Sequence, residues 1–288
     1  MDYRKLGNTG RMVSAIGFGG SAIGIQGYID GLDRDDVEFQ REARRAISMA
    51  VSHGINYFDT APVYGEGRSE RRFGEALESV RPTIFLATKF KWKPGTTPEQ
   101  LDQALSESLQ RLKTDHVDLL QFHGLNIGDA EADEILQSFL PEWLAQVKAK
   151  GLASFVGFTA ETPSTGVERL LRSKCFEVMQ IGYNFMSTTA CDYRWNPFGV
   201  IPLAKQLGVG VVTMRTSTSG LLQRVVETEF PDLDLRKLTR MAIRFVLSTS
   251  EVDTALVGMQ STEDVQDALN LIADGARRYD LVELNRRR

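Results

Sequence analysis

The chain has few cysteines, few histidines and no excess of basic residues, and each of these shortages excludes a class of protein. Its 288 residues include two cysteines and three histidines, and the formal net charge is -4. Cys175 and Cys191 form no Cys-x-x-Cys pair, and the histidines show no ligand-type spacing, so a disulfide scaffold and a structural zinc site are excluded. A slightly acidic chain lacks the basic patch of a nucleic-acid-binding surface. We therefore expect no bound metal and no nucleic-acid partner.

Long hydrophobic runs are also missing. No stretch of the sequence approaches the roughly 20 apolar residues that a membrane-spanning helix needs. Residues 1–5 (MDYRK) are polar and lack the apolar segment of a secretory signal. We therefore expect a protein of the reducing cytoplasm without a membrane partner. No pattern in the sequence indicates an oligomeric state.

The sequence does contain a regular alternation of two patterns. Short runs rich in apolar and β-branched residues predict strands, and the longer segments between them show helical periodicity. The predicted strands are residues 14–18, 56–59, 84–89, 118–122, 153–158, 178–182, 209–214 and 254–257. The predicted helices are residues 39–53, 69–79, 98–113, 132–150, 163–173, 198–207, 235–249 and 262–273.

Cap residues support several of these helix boundaries. A polar residue before proline predicts a helix N-terminus, and a glycine after a helical segment predicts its end. The predicted N-caps are Thr97, Thr162 and Asn196, and the predicted helix-ending glycines are Gly54, Gly151 and Gly208.

Strict strand–helix alternation predicts parallel strands joined by right-handed crossovers. Eight such units in 288 residues suit a closed (β/α)8 TIM barrel of the α/β class better than an open sheet. Residues 3–14, with a turn at Asn8-Thr9-Gly10, predict an N-terminal β-hairpin before the barrel. Because no linker or change of composition divides the chain, we expect residues 1–288 to form a single domain.

Four chemically active side chains follow the predicted C-terminal ends of neighbouring strands, where parallel barrels build their active sites. Asp59 ends the second strand, Lys89 ends the third, His123 follows the fourth, and Tyr64 lies in the loop after Asp59. An ammonium near a tyrosine lowers the pKa of the phenol from its usual value of about 10, and a carboxylate balances the ammonium. An imidazole can hydrogen-bond a substrate oxygen. This set can protonate a carbonyl oxygen but has no electron source, which indicates a nicotinamide cofactor as hydride donor.

Each residue of this group also has a simpler explanation when it is taken alone. A lysine at a strand end can bind phosphate or form a Schiff base, and Asp59 can cap the turn that follows it. His53 falls at the end of a predicted helix, and His116 falls on the opposite rim of the barrel. We interpret both as structural.

The glycine-rich segment 17–22 (GFGGSA) fits a loose dinucleotide-binding fingerprint. That fingerprint should open directly into a helix, whereas an irregular acidic loop is expected here. We therefore interpret Gly20 and Ser21 as loop residues near the cofactor ribose.

With these residues in place, the sequence resembles the aldo-keto reductase family. The passage Tyr57–Glu70 (YFDTAPVYGEGRSE) resembles the signature around the family's catalytic acid and tyrosine. Lys89 in LATKF and His123 in LLQFHG match its other two catalytic positions, and the similarity covers nearly the whole chain, from YRKLGNTGRMVSAIGFGG onwards. The resemblance implies a (β/α)8 barrel and NAD(P)(H)-dependent interconversion of a carbonyl and its alcohol. It also implies Tyr64 as general acid and base, supported by Asp59, Lys89 and His123.

The same resemblance implies which residues face the cofactor. Gln180 and Thr159 match residues that bind the nicotinamide carboxamide, although Ala160 replaces the family's asparagine. Met214 stands where many members stack an aromatic ring, and it can cover the nicotinamide without stacking. The other implied cofactor residues are Gly20, Ser21 and Asp59 near the first strands, Arg215, Thr216, Ser217 and Gly220 after strand 7, and Gly258, Gln260 and Asp264 after strand 8.

Segment 258–265 has no basic residue where NADP-preferring members of the family carry lysine and arginine. Glu263 and Asp264 would repel the ribose 2′-phosphate. We therefore expect NAD(H) to be preferred, with NADP(H) a possible cofactor. The alternative is that Arg277 or Arg278, from the last helix, reaches the phosphate.

Three aromatic residues in long loops, Tyr28, Trp92 and Phe185, are predicted to line an apolar substrate mouth, although surface packing explains each equally well. The expected substrate is a small carbonyl compound, such as an aldehyde, ketone or sugar, or the matching alcohol. Two other functions stay open. One is a nicotinamide-binding regulatory subunit, and the other is a non-redox lyase that uses Tyr64 as base and Lys89 as electrophilic helper.

Overall fold

Eight parallel strands form a closed barrel in a computed structural model that describes residues 1–27, 31–193, 198–274 and 278–286. A short antiparallel pair, β1 (Tyr3–Lys5) and β2 (Met12–Ser14), precedes it. The barrel strands are β3 (Ile16–Gly19), β4 (Tyr57–Asp59), β5 (Phe85–Phe90), β6 (Val117–Phe122), β7 (Ala153–Ala160), β8 (Val178–Gly182), β9 (Gly210–Met214) and β10 (Thr254–Gly258). Strand β10 pairs with both β9 and β3, which closes the barrel. The predicted TIM barrel with an N-terminal hairpin is confirmed.

The helices lie between the strands. They are α1 (Ser21–Gly24), α2 (Val37–Ser52), α3 (Arg68–Leu77), α4 (Pro98–Leu112), α5 (Asp129–Gln137), α6 (Leu140–Ala149), α7 (Thr165–Arg172), α8 (Val200–Leu207), α9 (Leu221–Glu229), α10 (Leu235–Leu247), α11 (Thr262–Ala273) and α12 (Leu281–Arg286), with 3-10 turns at Glu78–Thr83 and Thr218–Gly220. Among the described residues, none of these helices has the length and apolar character needed to cross a membrane.

The cap residues agree with the sequence in part. Thr97 caps α4 in a full capping box with Gln100, and Gly54, Gly151 and Gly208 adopt positive φ angles of 88°, 73° and 74° at helix ends. The prediction for Thr162 is wrong, because the Ser164 side chain accepts the hydrogen bond from the backbone N–H of Val167 at 3.1 Å. Asn196 lies outside the described residues.

Three segments differ from the prediction, and α12 follows the last predicted helix as an additional short helix. The single helix expected over 132–150 is two helices, α5 and α6, because Pro141 has no backbone N–H and cannot continue α5, whereas it is tolerated in the first turn of α6. The connection after β9 contains α9. The segment after β3, expected to be an irregular loop, begins with the four-residue helix α1.

The barrel interior follows the two-residue period of its strands. Apolar side chains such as Tyr57, Phe85 and Leu119 fill the lower and middle interior. Towards the C-terminal ends of the same strands the inward positions become polar and carry Asp59, Lys89, Gln121 and Gln180, all of them buried. The fold therefore places a layer of polar groups directly above an apolar core.

The N-terminal hairpin covers the opposite end of the barrel. Leu6, between β1 and β2, is completely buried. The backbone N–H of Gly7 donates to the Asp253 carboxylate at 3.1 Å, and that of Asn8 donates to the carbonyl of Gly208 at 2.8 Å. Because these partners precede β10 and β9, the hairpin closes the N-terminal end and leaves the C-terminal end for a site.

Candidate active site

Asp59 and Lys89 form a buried ion pair at the C-terminal end of β4 and β5. The Lys89 Nζ atom lies 2.6 Å from Asp59 Oδ1 and also donates to the carbonyl of Thr60 at 2.8 Å. Their side chains are 0% and 3% exposed. Removing one member of such a pair would leave an uncompensated buried charge, so each residue requires the other.

The charged end of Lys89 also faces Tyr64. The Nζ atom lies 4.9 Å from the centroid of the Tyr64 ring. Burial disfavours the ammonium, but interactions with Asp59 and Tyr64 outweigh that penalty and raise the pKa of Lys89. Lys89 therefore stays protonated, which places a fixed positive charge beside the phenol.

His123 lies against the same tyrosine. The two rings meet edge to face, with centroids 6.0 Å apart and an interplanar angle of 86°. Burial, together with the positive charges of Lys89 and Lys91, lowers the pKa of His123 to about 3. The ring is therefore neutral near pH 7, and its Nδ1 atom is buried with no hydrogen-bond partner within the described part of the chain.

Gln121 links Asp59 to Gln180, a contact that was not predicted from the sequence. Its Nε2 atom lies 3.1 Å from Asp59 Oδ2 and 3.1 Å from Gln180 Oε1. The amide group supplies two N–H donors, so one side chain orients both acceptors. Its polarity at an inward strand position was the available signal, but it lies one residue before the strand end.

Tyr64, Asp59 and His123 open into a cavity of about 620 Å³ that crosses the barrel rim towards the ends of β9 and β10. The thirteen residues that the sequence assigned to the cofactor all line it: Gly20, Ser21, Asp59, Thr159, Gln180, Met214, Arg215, Thr216, Ser217, Gly220, Gly258, Gln260 and Asp264. Glu161, Gln223, Arg224 and Thr239, which the sequence did not indicate, line it as well.

The aromatic candidates for the substrate mouth are placed differently. Trp92 and Phe185 are not among the residues that line the cavity. Trp92 packs against the core, and Phe185 lies edge-on to Phe245 with ring centroids 6.4 Å apart. Tyr28 lies outside the described residues. A substrate role for these three residues stays a prediction.

Acidic residues after β10 are tied into the start of α11. The Asp264 carboxylate accepts hydrogen bonds from the backbone N–H groups of Gln260 and Ser261, each at 3.1 Å. Arg236 is paired with Glu263 at 2.6 Å and with Asp267 at 2.9 Å. The nearby positive charge is thus already balanced by carboxylates.

Of the two alternative basic residues, the structure describes Arg278, which does not reach this region. Arg278 lies 3.9 Å from Asp2, beside the hairpin at the opposite end of the barrel. Arg277 lies outside the described residues.

The cavity wall fits a nicotinamide dinucleotide. Its volume falls in the range of ligand pockets, about 300–1,000 Å³. The Thr216 hydroxyl lines it, is buried and has no hydrogen-bond partner among residues 1–27, 31–193, 198–274 and 278–286. A buried hydroxyl without a partner is costly, so a polar ligand group at this position would satisfy it.

Comparison with known proteins gives consistent matches. The sequence matches the Aldo/keto reductase family over residues 15–238. It is 30% identical over 301 aligned residues to an L-galactose dehydrogenase of Arabidopsis thaliana, covering 95% of this chain and 89% of that protein. The holo form of an aldo-keto reductase from Bacillus halodurans shares 25% identity and a TM-score of 0.72, over 100% of this chain and 96% of that chain. An aldo/keto reductase from Klebsiella pneumoniae, solved with NADP and acetate, has the same fold, with 19% identity and a TM-score of 0.72 over 94% of this chain and 89% of that chain.

Proposed function

The chain belongs to the aldo/keto reductase family, and from that premise we propose that it interconverts a carbonyl compound and its alcohol with a nicotinamide cofactor. The observation that supports this most is the contact of Tyr64 with a charged Lys89 and a neutral His123 at one wall of the cavity. That combination suits proton transfer to a carbonyl oxygen better than attack by a nucleophile.

In the proposed mechanism, Tyr64 moves the proton. A nicotinamide cofactor, when bound, supplies or accepts the hydride. Tyr64 donates its phenolic proton to the carbonyl oxygen during reduction and takes it back during oxidation. The Lys89 ammonium stabilises the negative charge that develops on the phenolic oxygen, and Asp59 fixes the ammonium in place. His123, being neutral, orients the carbonyl oxygen through a hydrogen bond without adding charge.

Different cavity residues would bind different parts of the cofactor. Thr159 and Gln180 would hold the nicotinamide carboxamide, and Met214 would cover the ring. Segment 215–220 would bind the pyrophosphate through its hydroxyl and backbone N–H groups. Gly258 and Gln260 would lie at the adenosine end.

The test of this function is Tyr64→Phe. We expect the substitution to lower kcat by about 10²- to 10⁴-fold, the usual contribution of general acid–base catalysis, because it removes the hydroxyl group that carries the transferable proton. The measurement follows NADH or NADPH absorbance with a panel of aldehydes, ketones and sugars, beside direct titration of the cofactor. Binding should change by less than about twofold, which shows that the site is intact. Unchanged turnover in the variant would overturn the proton-donor role, and turnover without any change in nicotinamide absorbance would support the lyase instead.

We also propose that NAD(H) is preferred over NADP(H). Arg236 is already paired with two carboxylates, and Glu263 and Asp264 would face a 2′-phosphate with negative charge. Arg224 also lines the cavity, and its positive charge would favour a 2′-phosphate. The Klebsiella pneumoniae aldo/keto reductase was solved with NADP. The proposed NAD(H) preference of this chain is therefore based on its own residues and not on that protein.

The preference is measured as the ratio of the Kd values for NADH and NADPH. We expect tighter binding of NADH, and Glu263→Lys should strengthen NADPH binding about fivefold or more by replacing a repulsive charge with an attractive one. Binding of NADH should change by less than about twofold in the same variant. Wild-type binding of NADPH about tenfold tighter than of NADH would contradict the proposal.

The substrate proposed is a small carbonyl compound or alcohol, and sugars deserve early testing because the Arabidopsis thaliana relative is an L-galactose dehydrogenase. The low cysteine content supports activity in the reducing cytoplasm.

A further inference from the structure

The side chain of Asn184 adds a hydrogen bond beyond the end of the ladder between β8 and β9. The ladder between β8 and β9 ends where Gly182 pairs with Met214. The backbone N–H of Tyr183 then donates to the carbonyl of Met214 at 3.1 Å. The next carbonyl, that of Arg215, accepts from the side-chain Nδ2 of Asn184 at 3.0 Å. A side-chain amide thus takes the place of a backbone donor.

The oxygen of the Asn184 amide binds the loop that follows β8. Its Oδ1 atom accepts from the backbone N–H groups of Met186 at 2.9 Å and Ser187 at 3.0 Å. The residue is 6% exposed, so water cannot readily replace these bonds. The position requires a donor and an acceptor on one short side chain, and aspartate would lack the donor.

The carbonyl that Asn184 holds belongs to a backbone in an unfavourable conformation. Arg215 has a φ angle of +58°, and Thr218 and Ser219 have φ angles of +58° and +52°. Non-glycine residues avoid this left-handed region, so the segment needs contacts from outside to keep its shape. The segment itself supplies a second donor to the same carbonyl, from the backbone N–H of Thr218 at 2.8 Å.

Holding Arg215 in this conformation also directs its side chain. The guanidinium pairs with Glu161, with Nη2 2.8 Å from Oε1, and its Nη1 donates to the Ser219 hydroxyl at 3.0 Å. Arg215, Glu161 and Ser219 all line the cavity. The shape of one wall of the cavity therefore depends on the carbonyl that Asn184 fixes.

We propose that Asn184 is a positioning residue for segment 214–220, and that its N–H donor preorganises this segment to bind the cofactor. The inference rests on the proposed function, because it assigns segment 215–220 to the pyrophosphate. Asn184 does not itself line the cavity, so it acts through Arg215. Preorganisation of this kind strengthens binding by removing the cost of ordering the loop when the ligand arrives.

The first experiment is Asn184→Asp, which keeps the acceptor for Met186 and Ser187 and removes the donor to Arg215. We expect the Kd for NADH, measured by fluorescence titration without substrate, to rise about fivefold or more, as for one lost hydrogen bond. Asn184→Ala, which removes the donor without adding charge, carries the same expectation. Asn270→Asp is the matched control, because its side chain is exposed on α11 and contacts Gln266 away from the cavity.

The second experiment repeats the change in an Arg215→Gly background. Glycine adopts positive φ without penalty, so the backbone no longer needs the Asn184 donor. We expect Asn184→Asp to raise the Kd for NADH by less than about twofold in this background, although the background itself binds less tightly than the wild type. A purely structural role of Asn184 would give the same factor in both backgrounds.

The outcomes separate this inference from the proposed function. If the wild type binds neither NADH nor NADPH, the proposed function is wrong. If the wild type binds NADH and Asn184→Asp binds it as tightly as Asn270→Asp does, the positioning role is wrong. Equal losses in the two backgrounds would also overturn it.

Discussion

His123 has a strongly lowered pKa among the residues of the candidate active site. Burial and the positive charges of Lys89 and Lys91 lower its pKa to about 3. A neutral ring can hydrogen-bond a carbonyl oxygen, whereas an imidazolium would compete with Tyr64 as the proton donor. The low pKa thus reserves proton transfer for the tyrosine.

The same shift makes stability depend on pH. Below about pH 6.5 the unfolded chain protonates His123, while the folded protein binds that proton only near pH 3. The unfolded state therefore binds more protons between these values, and stability falls as pH falls. We expect wild-type unfolding free energy to drop more steeply than that of His123→Gln, by up to ~1.4 kcal/mol per pH unit below about pH 6. Urea unfolding at several pH values measures both slopes, and parallel slopes would contradict the prediction.

At the residue scale, the sequence predicted side chains whose position along the chain reveals their chemistry. Asp59, Lys89 and His123 were identified because they stand at strand ends, and Tyr64 because it follows Asp59 in a recognisable passage. Asn184 could not be identified in this way. Its role depends on the carbonyl it meets across two loops, and no pattern along the chain records that contact.

Among the elements, β7 and β8 pack unusually closely beside the cavity. A Cβ atom on Gly182 would lie 2.3 Å from the carbonyl oxygen of Glu161. Because that atom belongs to the backbone, it cannot move aside as a flexible side chain would. The glycine thus sets the distance between the strand ends that carry Thr159 and Gln180.

We expect Gly182→Ala to destabilise the protein by about 1–3 kcal/mol, through overpacking, and to weaken cofactor binding. Thermal unfolding and NADH titration measure the two effects. Gly128→Ala is the control, since a Cβ atom there would have nothing within 4 Å. Equal stability of the two variants would show that the ends of β7 and β8 separate easily.

Element boundaries show what periodicity can and cannot predict. The apolar pattern over 132–150 continues past Pro141, so periodicity alone predicted one helix. The proline ends α5 and stands in the first turn of α6, a break that the hydrophobic pattern does not record. The strands were predicted more closely, because buried parallel strands give short apolar runs with clear ends.

For the molecule as a whole, the N-terminal hairpin and the polar layer lie at opposite ends of the barrel. The hairpin seals the N-terminal end with Leu6, while the polar layer lies at the C-terminal end. This separation allows one end to be weakened without changing the other.

Leu6→Ala tests that separation. We expect the unfolding free energy to fall by about 2–5 kcal/mol, as for other buried leucines replaced by alanine. The Kd for NADH should stay within about twofold of the wild-type value at a temperature where the variant is folded. Chemical denaturation and titration measure both quantities, and a large loss of binding would mean that the hairpin influences the distant rim.

The closure of the barrel by β10 against β3 also has a consequence during synthesis. The first barrel strand must wait for a partner that is made after all the other barrel strands, and Arg4 donates to the carbonyl of Val252, 248 positions along the chain. Until that partner leaves the ribosome, β3 and β9 present unpaired edges on which nascent chains can aggregate. Slow translation of the segment between β9 and β10 would prolong this exposure, so we expect the yield of folded protein to depend on chaperones that shield the edges.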